Sequence, residues 1–182
     1  PYWTEEHLDQ LREKGILGDT DWLSEIYKKC GLTQNHNLSA TGGNDRVRYY
    51  ASIGYNGQEG ILRNTAFSRY NFRANIDANL AQNLDFMINV SGSHTDRNWP
   101  GLGISAQSEF SPITRAFYAL PILAKEYQGA PLGYTNGVYT YNPVASLNTG
   151  YQHQRRWNAE VRSQLSYKFD AIKPLKGLKA MM

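Results

Sequence analysis

Between Arg69 and Leu80 the chain alternates for twelve residues without an error. Tyr70, Phe72, Ala74, Ile76, Ala78 and Leu80 take the even positions, and Arg69, Asn71, Arg73, Asn75, Asp77 and Asn79 the odd ones. Successive side chains of a strand point to opposite faces, so this segment presents one apolar wall and one polar wall. After Ala81-Gln82-Asn83 the pattern resumes, with Leu84, Phe86, Ile88 and Val90 opposite Asp85, Asn89, Ser91 and Ser93, which predicts a tight hairpin. Upstream, Val47, Tyr49, Ala51, Ile53 and Tyr55 alternate with Arg46, Arg48, Tyr50 and Ser52. The turn Gly42-Gly43-Asn44-Asp45 and a weaker strand through Leu38 and Ala40 precede them, predicting a second hairpin. A fifth long strand places Trp157, Ala159, Val161, Ser163, Leu165, Tyr167 and Phe169 opposite Asn158, Glu160, Arg162, Gln164, Ser166, Lys168 and Asp170.

The first thirty residues have a helical period instead. Thr4 can cap a short helix carrying Leu8 and Leu11, with Trp3 placed to staple against Leu8 and Gly15 to stop it. A second helix is predicted from Asp21 to Cys30, with Leu23, Ile26 and Tyr27 on one face. The expected organisation is a helical segment at 1–32, four antiparallel strands at 33–96, a long loop at 97–156, and a strand, a turn and the start of a further strand at 157–182. Within the long loop, Ser111 and Pro112 can open a helix running to about Leu120. Short connections at 42–45, 81–83 and near Pro174 alternate with longer ones at 56–68 and 97–156, as in outer-membrane barrels, whose turns are tight on one edge and extended on the other.

Composition adds less. Nineteen Lys and Arg against sixteen Asp and Glu leave a net charge of +3, too small and too dispersed to imply nucleic acid. Aromatic residues make up 13% of the chain, thirteen of them Tyr, at a mean hydropathy of −0.58. No run approaches the roughly eighteen apolar residues of a membrane helix, which leaves barrel strands open, because alternating strands do not look hydrophobic on average. Cys30 is the only cysteine, so no internal disulfide or cysteine-based zinc cluster can form. The chain begins at Pro1 and stops in mid-pattern at Met182, and reads as a piece of something longer.

Alternation alone also describes a soluble β-sandwich, for instance a carbohydrate-binding module. Three features favour a lipid-facing wall. Strands this long suit a tilted bilayer crossing better than a soluble sheet, whose strands usually run to about five or six residues. Trp157 and Tyr167, ten residues apart on the apolar face, would be separated by roughly 23 Å along the membrane normal at a tilt near 45°. That matches the aromatic girdles flanking an apolar band about 25 Å tall. The opposite face is rich in Asn and Asp, poor strand formers that a wet lumen accepts. The expected class is therefore all-β with short helices in loops, its antiparallel up-and-down strands forming part of a transmembrane β-barrel wall.

The stretch 20–93 resembles the SusC/RagA family of TonB-dependent outer-membrane proteins, known from glycan-using Bacteroidetes. The likeness is carried by TDWLSEIYKK at 20–29, TQNHNLSATGGNDRVRYYASIGY at 33–55, QEGIL at 58–62 and RYNFRANID at 69–77, and more weakly by NPVASL at 142–147 and SYKF at 166–169. The resemblance implies a twenty-two-stranded barrel in the outer membrane of a Gram-negative bacterium, to which this chain contributes about five strands. It also implies a plug through which TonB acts, an oligosaccharide or peptide solute, and a SusD-like surface lipoprotein as lid. Plug and TonB-contacting segment are absent from this sequence.

Chemistry is sparse by comparison. Asp77 and Asp85 flank a tight turn without the convergent geometry that hydrolysis needs, so no catalytic residue is expected. His36, His94 and His153 lack metal-site spacing and are expected to make ordinary polar contacts; no cofactor or metal is expected. Trp99, Tyr118, Tyr127, Tyr134, Tyr139 and Tyr141 of the long loop are candidates for contact with a sugar solute or the lid, because flat rings stack on sugar faces and anchor interfaces. Arg46, Arg48, Arg69, Asn71, Arg73, Asn75 and Asp77 are candidates to face the lumen.

Overall fold

The computed structural model describes residues 4–105, 107–135, 140–169 and 173–182, with only the backbone at 134, 135, 140 and 141. In chain order its elements are α1 (Glu5–Glu13), α2 (Trp22–Ile26), β1 (Thr33–Gly43), β2 (Val47–Glu59), β3 (Ala66–Ala81) and β4 (Leu84–Pro100). There follow α3 (Pro112–Tyr118), β5 (Glu126–Tyr127), β6 (Ala130–Pro131), β7 (Tyr134–Thr135), β8 (Thr140–Tyr141), α4 (Pro143–Asn148), β9 (Tyr151–Lys168) and β10 (Lys179–Met181). The long strands form one open sheet in the order β1-β2-β3-β4-β9-β10, and β5-β6 and β7-β8 are two-stranded hairpins. Each neighbour in the large sheet is also a neighbour in that order along the chain, the up-and-down topology the alternation predicts.

The chain divides into two compact units. One comprises Thr33–Gly57, Ser68–Asp96 and Arg155–Met182; the other comprises Pro1–Leu32, Gln58–Phe67 and Arg97–Gln154. The helical segment expected at 1–32 is thus not a unit by itself, because 58–67 and most of the long connection pack with it.

In the sheet unit, the tight turns are built by side chains that replace missing ladder bonds. The Asn44 side-chain oxygen accepts from the backbone N–H groups of Arg46 and Val47, both at 2.9 Å. This is the local capping that favours Asn in turns. Arg46 lies in that turn, not in the strand that the alternation extended to it, and its carbonyl accepts from Asn79 N–H at 2.7 Å. At the far edge β10 pairs antiparallel with β9, Ala180 opposite Tyr167. The fifth predicted strand begins at Tyr151, six residues earlier than expected, and the fourth runs on to Pro100.

In the other unit, four helices start where a polar side chain caps them. Thr4 accepts from His7 N–H, Asp21 from Leu23 and Ser24, Ser111 from Thr114, and Asn142 from Ala145. Pro112 and Pro143 open α3 and α4, where the N–H they lack has no helical partner anyway. Gly15 ends the first helix at φ 69, as expected of a left-handed stop. Trp3, the expected staple, lies outside the described residues. The second helix is only five residues long, not the ten expected. After Ile26 the chain turns extended, Tyr27 bridging Leu62 and Lys28 N–H bonding the Ile61 carbonyl at 2.7 Å.

The core of this unit gathers Trp22 and Ile26 from α2, Ala116 and Ala119 from α3 and its end, Leu147 from α4, and Leu62. Trp22 is 3% exposed, and its indole N–H, which would be costly to bury unpaired, donates to the Leu120 carbonyl at 2.9 Å.

Candidate functional site

The candidate surface is the long sheet, whose two faces differ as the alternation requires. On the apolar face Leu38 is 68% exposed, Ile53 60%, Tyr70 53%, Val161 66% and Trp157 76%. None of the strand residues of that face belongs to the buried hydrophobic core. Large apolar side chains left open to this extent over contiguous strands mark a surface that something apolar covers. Among the described residues no second sheet of comparable size exists to do so, the other two being two-stranded hairpins.

Across this face runs a row of five rings, one from each of five adjacent strands. His36 stacks towards Tyr55 at 6.2 Å between centroids, Tyr55 meets Tyr70 at 4.9 Å, Tyr70 meets His94 at 6.5 Å, and His94 stacks on Trp157 at 4.0 Å. The row crosses the strands near the ends from which the long connection departs, six residues before Pro100 on β4 and six after Tyr151 on β9. Towards the tight-turn end, Tyr167 packs edge-on against Phe169 at 4.9 Å, its hydroxyl accepting from the Asn83 amide. Two aromatic levels therefore bracket the apolar face.

The imidazoles are a departure from expectation. His36 and His94 make ring contacts, not the ordinary polar contacts their sequence setting predicts, and His94 Nδ1 is enclosed without a hydrogen-bond partner. The signal was present: Leu38 and Ala40 place His36 on the apolar face, and Leu84 to Val90 place His94 there once the strand continues past Ser93. One step beyond the row, on the same face, Arg155 Nε donates to the Asp96 carboxylate at 3.3 Å. Arg155 thus belongs to a strand and not to the loop predicted at 97–156.

The candidate lumen residues share the other face. Arg48 lies on β2, and Arg69, Asn71, Arg73, Asn75 and Asp77 on β3, with the arginines, Asn71 and Asp77 exposed. Gly54 belongs to the same face, and a side chain there would collide with the Asn37 and Asn71 amides at 2.6 and 2.7 Å, so the asparagines close over it. Asp85 is bound to Lys168 at 2.8 Å, spanning β4 and β9, while Asp77 stands on β3. Among the described residues no group of three His, Cys, Asp or Glu could hold a metal.

The six loop aromatics are spread over several elements. Trp99 ends β4, its indole covered by the Arg97 guanidinium at 5.1 Å. Tyr118 stands exposed at the end of α3, and Tyr127 on β5 accepts a hydrogen bond from the Gln128 amide. The backbones of Tyr134 and Tyr141 pair across the β7-β8 hairpin, and Tyr139 lies outside the described residues.

No family model matches the chain. It is 31% identical over 129 residues, 69% of its length, to TonB-dependent receptor P3 of Formosa agariphila, and 36% identical over 79 residues to TonB-dependent receptor P26 of the same organism. These matches span 12% and 8% of the two receptors. In fold it resembles the RagAB peptide importer in its closed-closed state, with a TM-score of 0.60 and 24% identity, covering 90% of this chain and 18% of that one. An open up-and-down sheet of strands this long is a portion of a barrel wall. The chain belongs to the TonB-dependent receptors.

Proposed function

We propose that this chain is a wall segment of an outer-membrane transporter that imports an oligosaccharide or peptide. Its apolar face meets lipid and its arginine- and asparagine-rich face borders the lumen. The observation that carries this reading is the exposed apolar face bracketed by two aromatic levels. Such a face is unstable in water and suited to a bilayer, whose interfaces favour aromatic rings. The 101–150 connection leaves the sheet at the end opposite the tight turns, which suits an outer loop that meets solute and a SusD-like lipoprotein lid. The aromatic side chains of Trp99 and Tyr118 would be contact points there. The reading is of a transporter and not an enzyme, supported by the likeness to TonB-dependent receptors.

The test uses the full-length receptor in a Gram-negative host. It should stay in the membrane pellet through alkaline carbonate extraction, and solute uptake should vanish when TonB is deleted. Release by carbonate, or uptake indifferent to TonB, would overturn the reading. Replacing Trp99 and Tyr118 with alanine should weaken solute or lid binding by about tenfold, on the order of 1.4 kcal/mol.

A further inference from the structure

The ring row fixes the level of each strand, and with it what stands on the reverse side of the sheet. One residue towards the end from which the long connection departs, the polar face carries a row of Asn35, Asn56, Arg69, Thr95 and Arg156, one from each of five adjacent strands. One residue towards the tight turns it carries Asn37, Gly54, Asn71, Ser93 and Asn158, the register that the approach of Asn37 and Asn71 to Gly54 requires. The rows touch at Asn37, whose amide donates to Asn35 Oδ1 at 3.4 Å.

Charge is unevenly spread along this face. Towards the tight turns the cations have acidic neighbours: Arg48 lies opposite Asp77, in the register set by the bond from Asn79 N–H to the Arg46 carbonyl, and Glu160 stands two residues before Arg162. The two rows nearest the long connection hold no acidic residue, and their Arg69 and Arg156 are exposed and join no ion pair among the described residues. These arginines stand two strands apart with Thr95 between them, roughly 9.5 Å at the usual strand spacing. Each presents an open fork that can take an oxyanion by paired N–H bonds. Beside them the asparagine amides each offer a donor and an acceptor, the combination that a sugar hydroxyl, itself both, can satisfy. Neither row contains an aromatic ring or an aliphatic residue, so the apolar side chains of a peptide would find no contact there.

We infer that these two rows form a binding strip for an acidic oligosaccharide, its carboxylate or sulfate groups at Arg69 and Arg156 and its hydroxyls on the asparagines. The inference rests on the lumen-facing reading of this face, and it names the class of solute. Two uncompensated cations at the loop end of a lumen wall also raise the local concentration of an anion arriving from that side.

Isothermal titration calorimetry of the purified full-length receptor tests it, with oligogalacturonate and a carrageenan oligosaccharide as probes, each beside its neutral counterpart, the methyl ester and the desulfated sugar. The wild type should bind one anionic probe at least about tenfold more tightly than its neutral counterpart, by a margin that shrinks as salt is added. Which probe binds distinguishes carboxylate from sulfate. Arg69→Gln together with Arg156→Gln should bring that probe down to the affinity of its neutral counterpart. Lys173→Gln together with Lys176→Gln, which removes the same charge at the tight-turn end, should keep the margin. A heat-modifiable shift in gel mobility shows in each case that the barrel has formed. A folded receptor that binds neither anionic sugar above its neutral counterpart, that prefers a glutamate hexapeptide to both, or whose margin survives the loss of both arginines, overturns the strip alone. So does a double arginine variant that melts lower without ligand and loses charged and neutral sugar alike, which would make the arginines a contact of the receptor's own plug. A receptor recovered free of membrane and detergent overturns both the strip and the wall reading.

Discussion

At the scale of single residues, the loop unit is held by polar groups that cannot be removed cheaply. Asn142 is 2% exposed, caps α4 through its oxygen, and donates its amide to the Leu132 carbonyl at 2.5 Å and the Lys125 carbonyl at 3.3 Å. Asn142→Ala removes the cap and takes a donor from the half-buried Leu132 carbonyl, so the opening free energy of α4 in the full-length receptor should fall by about 1–3 kcal/mol. Faster amide hydrogen exchange across 143–149 is the check, and unchanged exchange would contradict it. Gly31 makes a similar point about backbone. A Cβ there would sit 2.5 Å from the Glu59 carbonyl oxygen, so Gly31→Ala should destabilise the unit by about 1–3 kcal/mol, read from the same exchange measurement. The Asn142 cap is a local signal, but the contacts of its amide with Leu132 and Lys125, and of Gly31 with Glu59, are not legible in the chain, because only folding brings those residues close.

At the scale of elements, the alternation of side chains sets the faces and the environment sets the energy. Val161→Arg places a charge in mid-strand on the apolar face and should destabilise the folded receptor in lipid by about 2–4 kcal/mol. Arg162→Val, one residue on but on the polar face, should change it by under about 1 kcal/mol. Reversible unfolding from vesicles measures both, and equal effects would show that the two faces are not distinct. The same alternation explains what could be read from the sequence. Strands with period two and opposed residue types, such as 69–80, were visible residue by residue. Strand ends were not: the beginning of β9, Tyr151 to Arg156, contains His153, Arg155 and no aliphatic residue, so polarity disguised a strand as loop. The row of rings was hidden for the same reason, since a histidine carries no polarity signal of its own and its face is known only if the strand is followed that far. The fourth helix, Pro143–Asn148, was missed although Asn142-Pro143 repeats the cap-then-proline signal of Ser111-Pro112. Six residues gave too short a period to detect.

At the scale of the whole molecule, the sheet is open. β1 and β10 each present an edge with no partner strand among the described residues, and a barrel of the expected kind closes only with many more strands. Expressed alone without detergent, the chain should therefore form polydisperse aggregates in sedimentation velocity; a sharp monomer boundary would contradict that. The resemblance to larger receptors was readable early because it rests on an ordered series of short segments. The central claim, that one face meets hydrocarbon and the other water, is open to direct measurement. Nitroxide labels would be placed in turn at positions 159 to 165 of the full-length receptor in vesicles, and their collision rates with oxygen and with a water-soluble nickel complex recorded. Oxygen access should peak at 159, 161, 163 and 165 and nickel access at 160, 162 and 164, in strict antiphase. Access that rises and falls together, or nickel reaching both faces alike, would contradict it.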